Sequence, residues 1–108
     1  MKVKFNNGTI KECSAPTEQK IFKNIEGETV ASGWVLIFRL TGGITSDELD
    51  SVITPENVGS LAFLTENENG EQIEAFKLEN YGKISSSVIR HSENISSTYA
   101  DIQLSKGV

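Results

Sequence analysis

The sequence predicts a mainly β protein: an antiparallel β-sandwich or small barrel with one short helix at about residues 46–54. Three observations lead there. Short alternations of apolar and polar residues recur along the chain, the period-2 mark of half-buried strands. Turn pairs such as Asn7-Gly8, Glu26-Gly27 and Asn69-Gly70 separate them. Helical spacing is confined to residues 45–64, so the strand–helix–strand rhythm of a parallel sheet is missing.

The elements follow in order. Val3 and Phe5 alternate with Lys2, Lys4 and Asn6 as a strand. Asn7-Gly8 then suggests a two-residue type I′ hairpin, which would set Phe5 opposite Ile10 and Asn6 opposite Thr9. Cys13-Ser14-Ala15-Pro16 breaks that ladder. Residues 17–25 form a strand through Ile21, Phe22 and Ile25, of ambiguous period, and Glu26-Gly27-Glu28 turns it back. Residues 29–40 are the strongest strand. Trp34, Leu36, Phe38 and Leu40 share one face, and Val35 and Ile37 lie on the other beside Arg39. A strand apolar on both faces belongs in the middle of a sheet.

Gly42-Gly43 ends that strand. Thr45 and Glu48 then form a capping box, and Leu49, Val52 and Ile53 make one apolar helical face. Thr54-Pro55 stops the helix or restarts a second turn. Residues 60–65 and 72–79 form the next strands around the turn Asn67-Glu68-Asn69-Gly70. Ile73 and Ala75 sit on one parity and Phe76 and Leu78 on the other, which predicts a bulge near Ala75. After Asn80-Tyr81-Gly82, residues 83–90 and 95–104 pair across His91-Ser92-Glu93-Asn94, and the tail from Ser105 frays. That makes about seven strands in one domain, residues 1–108, with no repeat or linker.

Composition narrows the function classes. Hydrophobic residues are 37% of the 108 and aromatic residues 7%, lean but sufficient for one modest core because the charge is dispersed. A net charge of −5 without a basic cluster disfavours nucleic-acid binding. One cysteine, Cys13, allows neither an internal disulfide nor a cysteine zinc site. The longest apolar run, residues 34–38, is strand length, too short for a signal peptide or a membrane span. The expectation is a soluble protein made in the cytoplasm, without a membrane partner. The glycosylation patterns Asn7-Gly8-Thr9 and Asn94-Ile95-Ser96 then have no use.

Candidate chemistry is thin. His91 is the single histidine, with Glu93 near it, but a base needs a nucleophile and an orienting group, and a metal needs further ligands. Asp47, Glu48 and Asp50 are the densest acidic cluster. They lack the spacing of a calcium loop and suit a helix N-terminus. Glu66-Asn67-Glu68-Asn69-Gly70-Glu71 reads as a solvated hairpin tip for the same reason. Gly42-Gly43 lacks the rest of a phosphate loop. Cys13, beside Glu12, reads as a small, partly buried hydrophobe. Ser85-Ser86-Ser87 and Ser96-Ser97-Thr98 place hydroxyls on adjacent strands, which suits a wet sheet face. No catalytic, cofactor-binding or metal residue is assigned, and no cofactor is expected.

In the order of its segments the chain resembles short proteins encoded in phages and prophages of Gram-positive gut bacteria. The pieces are Phe5-Asn6-Asn7-Gly8-Thr9, the strand at 34–40, Asp47-Glu48-Leu49-Asp50-Ser51-Val52-Ile53-Thr54-Pro55-Glu56-Asn57, Tyr81-Gly82, and Ala100-Asp101-Ile102-Gln103-Leu104. Residues 13–25 lie outside the match. The resemblance implies a non-enzymatic virion or tail-region accessory protein with no active site. Its partners would be other protein subunits, including copies of itself, through sheet edges or the helix face. The alternative is a small β module for a ligand such as carbohydrate, which needs two or three exposed aromatics on one face; Trp34, Tyr81 and Tyr99 are the candidates.

Overall fold

Two four-stranded antiparallel sheets face each other in a computed structural model that describes residues 1–91 and 94–107, with side chains described outside 87–98. The strands are β1 (Lys2–Lys4), β2 (Ile10–Glu12), β3 (Thr17–Ile25), β4 (Glu28–Leu40), β5 (Ser60–Glu66), β6 (Gln72–Glu79), β7 (Lys83–His91) and β8 (Asn94–Gly107). One sheet runs β2-β1-β5-β6 and the other β3-β4-β8-β7. This is the sandwich form of the expected fold; neither sheet closes into a barrel. The loop expected at His91-Ser92-Glu93-Asn94 includes residues outside those described.

Alternation places the core between the sheets. Val3 and Phe5, Leu61 and Phe63 point inward from one sheet, and Leu36, Phe38 and Leu40 with Ala100, Ile102 and Leu104 from the other; all are buried. Phe38 and Phe63 meet edge to face across the interface, ring centroids 5.5 Å apart, a favoured aromatic geometry. β4 pairs with β3 on one side and β8 on the other, so it is central as its two apolar faces predict. Only one face is covered, however: Ile37 on the other is 43% exposed. Ala75 is the extra residue of a bulge, because Phe63 pairs with Phe76 and Leu64 with Glu74.

Three expectations meet the structure, two as corrections and one as a choice resolved. The first hairpin is not a two-residue turn: Lys4, not Phe5, pairs with Ile10, and Gly8 donates to the Phe5 carbonyl at 2.9 Å. A type I′ turn needs positive φ at both central residues; here Gly8 has φ 92° but Asn7 does not take a positive φ. The one-residue difference in register leaves Phe5 buried and Ile10 exposed. Glu26 and Gly27, with φ 51° and 85°, form the two-residue turn with positive φ at both positions instead.

Second, of the two outcomes left open at Thr54-Pro55, the chain takes the restart, giving two short helices. α1 (Ser46–Val52) has Thr45 as N-cap, and α2 (Pro55–Val58) starts afresh at Pro55 with the Thr54 hydroxyl accepting from the Asn57 amide at 3.3 Å. Proline suits a first helical position because its missing N–H would have no partner there. Third, the tail does not fray at Ser105. Ser105, Lys106 and Gly107 pair with Val35, Trp34 and Gly33. Gly33 permits this, since a Cβ there would lie 2.4 Å from the Lys106 carbonyl oxygen.

The chain changes sheets at Cys13-Ser14-Ala15-Pro16, where the predicted break falls. Cys13 bridges to Leu40, and the Ser14 amide donates to the Arg39 carbonyl at 2.8 Å. The helices link β4 to β5 and bury Leu49, Val52, Ile53 and Val58.

Candidate functional site

β3 and β4 outrun the sandwich. The β4–β8 ladder ends at Gly33–Gly107, while the β3–β4 ladder continues from Phe22–Ala31 to Ile25–Glu28; among the described residues no third strand lies beside it. The result is a two-stranded hairpin carrying Phe22 and Ile25 at 56% and 48% exposure, with Ile21 at 39% at its base opposite Gly33. All nine residues of β3 are exposed. An isolated hairpin is marginally stable in water, and adjacent exposed apolar groups on one mark a contact surface. β3 is also an edge strand, with a row of backbone donors and acceptors left open. Lys20 stands on this strand with its Nζ 5.4 Å from the Trp34 ring centroid.

Among the described residues, those singled out for chemistry do not assemble. Cys13 is buried, and burial pushes its thiol up to about 11, away from the reactive thiolate. Asp47 and Glu48 occupy the first turn of α1. Glu48 also meets Lys11 at 2.9 Å, and this hydrogen bond, with the lysine's charge, lowers its carboxyl below the ordinary value. The tip at Asn67 is held by its own backbone, with the Asn67 side-chain oxygen accepting from the Asn69 and Glu71 amides at 3.0 and 2.9 Å. Among the described residues no group of three His, Cys, Asp or Glu could hold a metal ion. The side chains of His91, Glu93, Ser87, Ser96, Ser97 and Thr98 lie outside the described set.

The aromatics proposed for a ligand face separate. Tyr81 is fully buried and its hydroxyl donates to Glu18 at 2.5 Å; burial, then that carboxylate, raises its pKa. Tyr99 lies under Arg39, whose guanidinium is 4.1 Å from the ring centroid, on the sheet face opposite the buried Ala100 and Ile102. Trp34 packs against the core yet is half-buried, and it lines an open groove of about 550 Å³ with Glu18, Lys77, Leu78, Glu79, Asn80 and Lys106. Neither Tyr81 nor Tyr99 lines that groove.

A residue that sequence reasoning missed is Asn57, buried although polar. Its side-chain amide donates to the Val52 carbonyl at 2.6 Å, its side-chain oxygen accepts from the Asn7 amide at 2.8 Å, and its backbone carbonyl accepts from the Asn6 amide at 3.1 Å. The Asn6 side chain donates to the Glu56 carbonyl at 3.3 Å. Two pieces of the sequence pattern described above, Phe5-Asn6-Asn7-Gly8 and Thr54-Pro55-Glu56-Asn57, are therefore one clasp in space. Their joint occurrence in the pattern was the available signal. The clasp is structural, since every polar group in it is directed at backbone.

No family model, curated protein or solved structure matches the chain. Among the described residues, no helix is long and apolar enough to cross a membrane.

Proposed function

We propose that the chain is a non-enzymatic accessory or structural protein of phage type that acts through protein–protein contacts in a virion or tail region. One observation carries the contact part: the projecting β3–β4 hairpin, with the exposed Ile21 at its base, holds Phe22 and Ile25 in water. Burying such groups in a partner is favourable by about 25 cal/mol per Å², and no described residue of the chain buries them. The phage part rests on the sequence resemblance. The inaccessible Cys13 and the capping role of the acidic cluster agree with a chain that does no chemistry.

The test is light scattering on a size-exclusion column, on the protein alone and co-expressed with the products of genes flanking its own. The expected result is a mass above that of the monomer in at least one sample. A strict monomer with no flanking partner overturns the contact reading, and metabolic neighbours overturn the phage reading. The groove beside Trp34 favours a second reading, a small-ligand module. Trp34 fluorescence titrated with mono- and disaccharides checks it, and an unchanged spectrum removes it.

A further inference from the structure

We propose that two copies of this chain pair through β3, antiparallel, about a two-fold axis at Ile21, so that two four-stranded sheets become one of eight. The proposal rests on the contact reading above and names its surface. Of the edge strands β2, β6, β3 and β7, β3 has all nine of its residues described and exposed. β2 is three residues long, and β6 carries the Ala75 bulge, a feature that discourages edge pairing. The irregularity in the β3–β4 pair lies at Ser32, on β4, so β3 itself stays regular and its edge open.

Backbone geometry limits the register. Ile25 and Glu28 flank a two-residue turn and so form a hydrogen-bonded pair. By alternation Lys23 and Ile21 also direct their N–H and C=O groups toward β4. The Ser32 hydroxyl, which donates to the Ile21 carbonyl at 3.3 Å, agrees. Glu18, Lys20, Phe22 and Asn24 therefore direct theirs outward. A second β3 must match outward groups with outward groups, so the axis passes through a residue and not between two.

Charge selects which residue. With the axis at Lys20, two lysines face each other and Asn24 faces Pro16, which has no N–H. With the axis at Phe22, Glu18 faces Glu26. Like charges directly opposite destabilise a sheet. With the axis at Ile21, Lys20 faces Phe22, Glu18 faces Asn24, Gln19 faces Lys23 and Thr17 faces Ile25, with no like pair. On the outer face Ile21 meets its copy, and the exposed Ile37 lies beside Thr17, which faces Ile25 of the second copy. On the other face Phe22 of the second copy approaches Lys20, already beside Trp34, as a second ring for the same cation.

The experiment uses the full chain. Sedimentation velocity on the wild type should give a dimer. In a Cys13→Ala background, Ile21→Cys should form a covalent dimer under mild oxidation, because facing residues at a non-hydrogen-bonded site have Cα atoms about 4.5 Å apart, within disulfide range. Gln19→Cys in the same background should stay monomeric on a non-reducing gel. Lys20→Pro removes an outward N–H without touching the β4 ladder, and should halve the sedimenting mass with an unchanged circular dichroism spectrum. Should Lys20→Pro fail to fold, the two cysteine variants decide. A wild-type dimer in which Gln19→Cys crosslinks as well as Ile21→Cys, or in which neither does, overturns this interface and leaves the contact reading standing. A monomer at high micromolar concentration overturns the interface too, and the contact reading then depends on the flanking gene products.

Discussion

Asn57 shows how one polar side chain can hold a junction between distant segments. It sits in the core at 5% exposure, and its amide saturates a carbonyl of α1 and an amide of the first turn. Asn57→Ala removes both contacts at once: the Asn7 amide loses its acceptor, and the Val52 carbonyl keeps only the Thr54 amide at 3.2 Å. A buried group left without its hydrogen bond costs about 1–3 kcal/mol, so Asn57→Ala should lower the unfolding free energy by about that amount in a urea titration. Cys13 gives a pH test at the same scale. Its thiol is raised from 9.0 to about 11 by burial. The folded state thus holds the proton more tightly than the unfolded chain. The stability this confers is complete below pH 9.0 and is lost as pH rises to about 11. Between those values the wild type should lose more stability than Cys13→Ala. A thiol reagent should label the native protein slowly and the urea-unfolded protein at once.

Among the elements, α1 depends on contacts at two ranges. Locally, the Thr45 hydroxyl accepts from the Glu48 amide at 3.2 Å, and losing such a cap costs about 0.5–2 kcal/mol. Thr45→Ala should show that loss at neutral pH. At long range, Glu48 meets Lys11 of β2. Its carboxyl is lowered below 4.5, so the stabilisation is complete above the unfolded value and is lost as pH falls through the folded one. Glu48→Gln should flatten the acid limb of the stability profile and leave the alkaline limb unchanged. The contrast marks what the sequence made legible. The capping box, the buried Leu49, Val52 and Ile53, the central β4 and the Ala75 bulge all follow from periods and turn chemistry, which act over a few residues. Lys11–Glu48 and the Asn57 clasp join residues 37 and 50 apart, and no local pattern encodes them. The first hairpin misled for a different reason. Asn-Gly suits a two-residue turn, but burial of Phe5 is compatible with a longer loop, and Asn57 takes the Asn7 amide there. The exposed hairpin escaped notice because a run of apolar residues in a strand does not say whether another sheet covers it.

At the scale of the molecule, the places that hold the fold together and the places that expose apolar surface are different. The radius of gyration is 15.5 Å with extents of 50 × 37 × 23 Å, against about 13 Å for a compact domain of this length. The excess comes from ladders that run past the sandwich: β3–β4 beyond the Gly33 end of the β4–β8 ladder and β7–β8 beyond the Leu40 end. Stability resides between the sheets, where Phe63 is fully buried against Phe38 and stacked on Phe76. Phe63→Ala should cost about 3–5 kcal/mol, the usual loss for truncating a core aromatic. Phe22, 56% exposed on the projecting hairpin, supplies almost nothing to the isolated monomer. Phe22→Ser should change the unfolding free energy by less than about 0.5 kcal/mol when measured dilute enough for monomers. It should nevertheless weaken self-association at higher concentration, because its ring is then what the partner covers. A chain built this way separates folding from contact: one set of aromatics is spent inside, and another is held out on a ladder with its backbone edge open. If Phe22→Ser proves as destabilising as Phe63→Ala in the dilute monomer, the hairpin packs against the body of the protein and its exposure is not available to a partner. Chemical denaturation of the two variants, followed by Trp34 fluorescence, separates these outcomes directly.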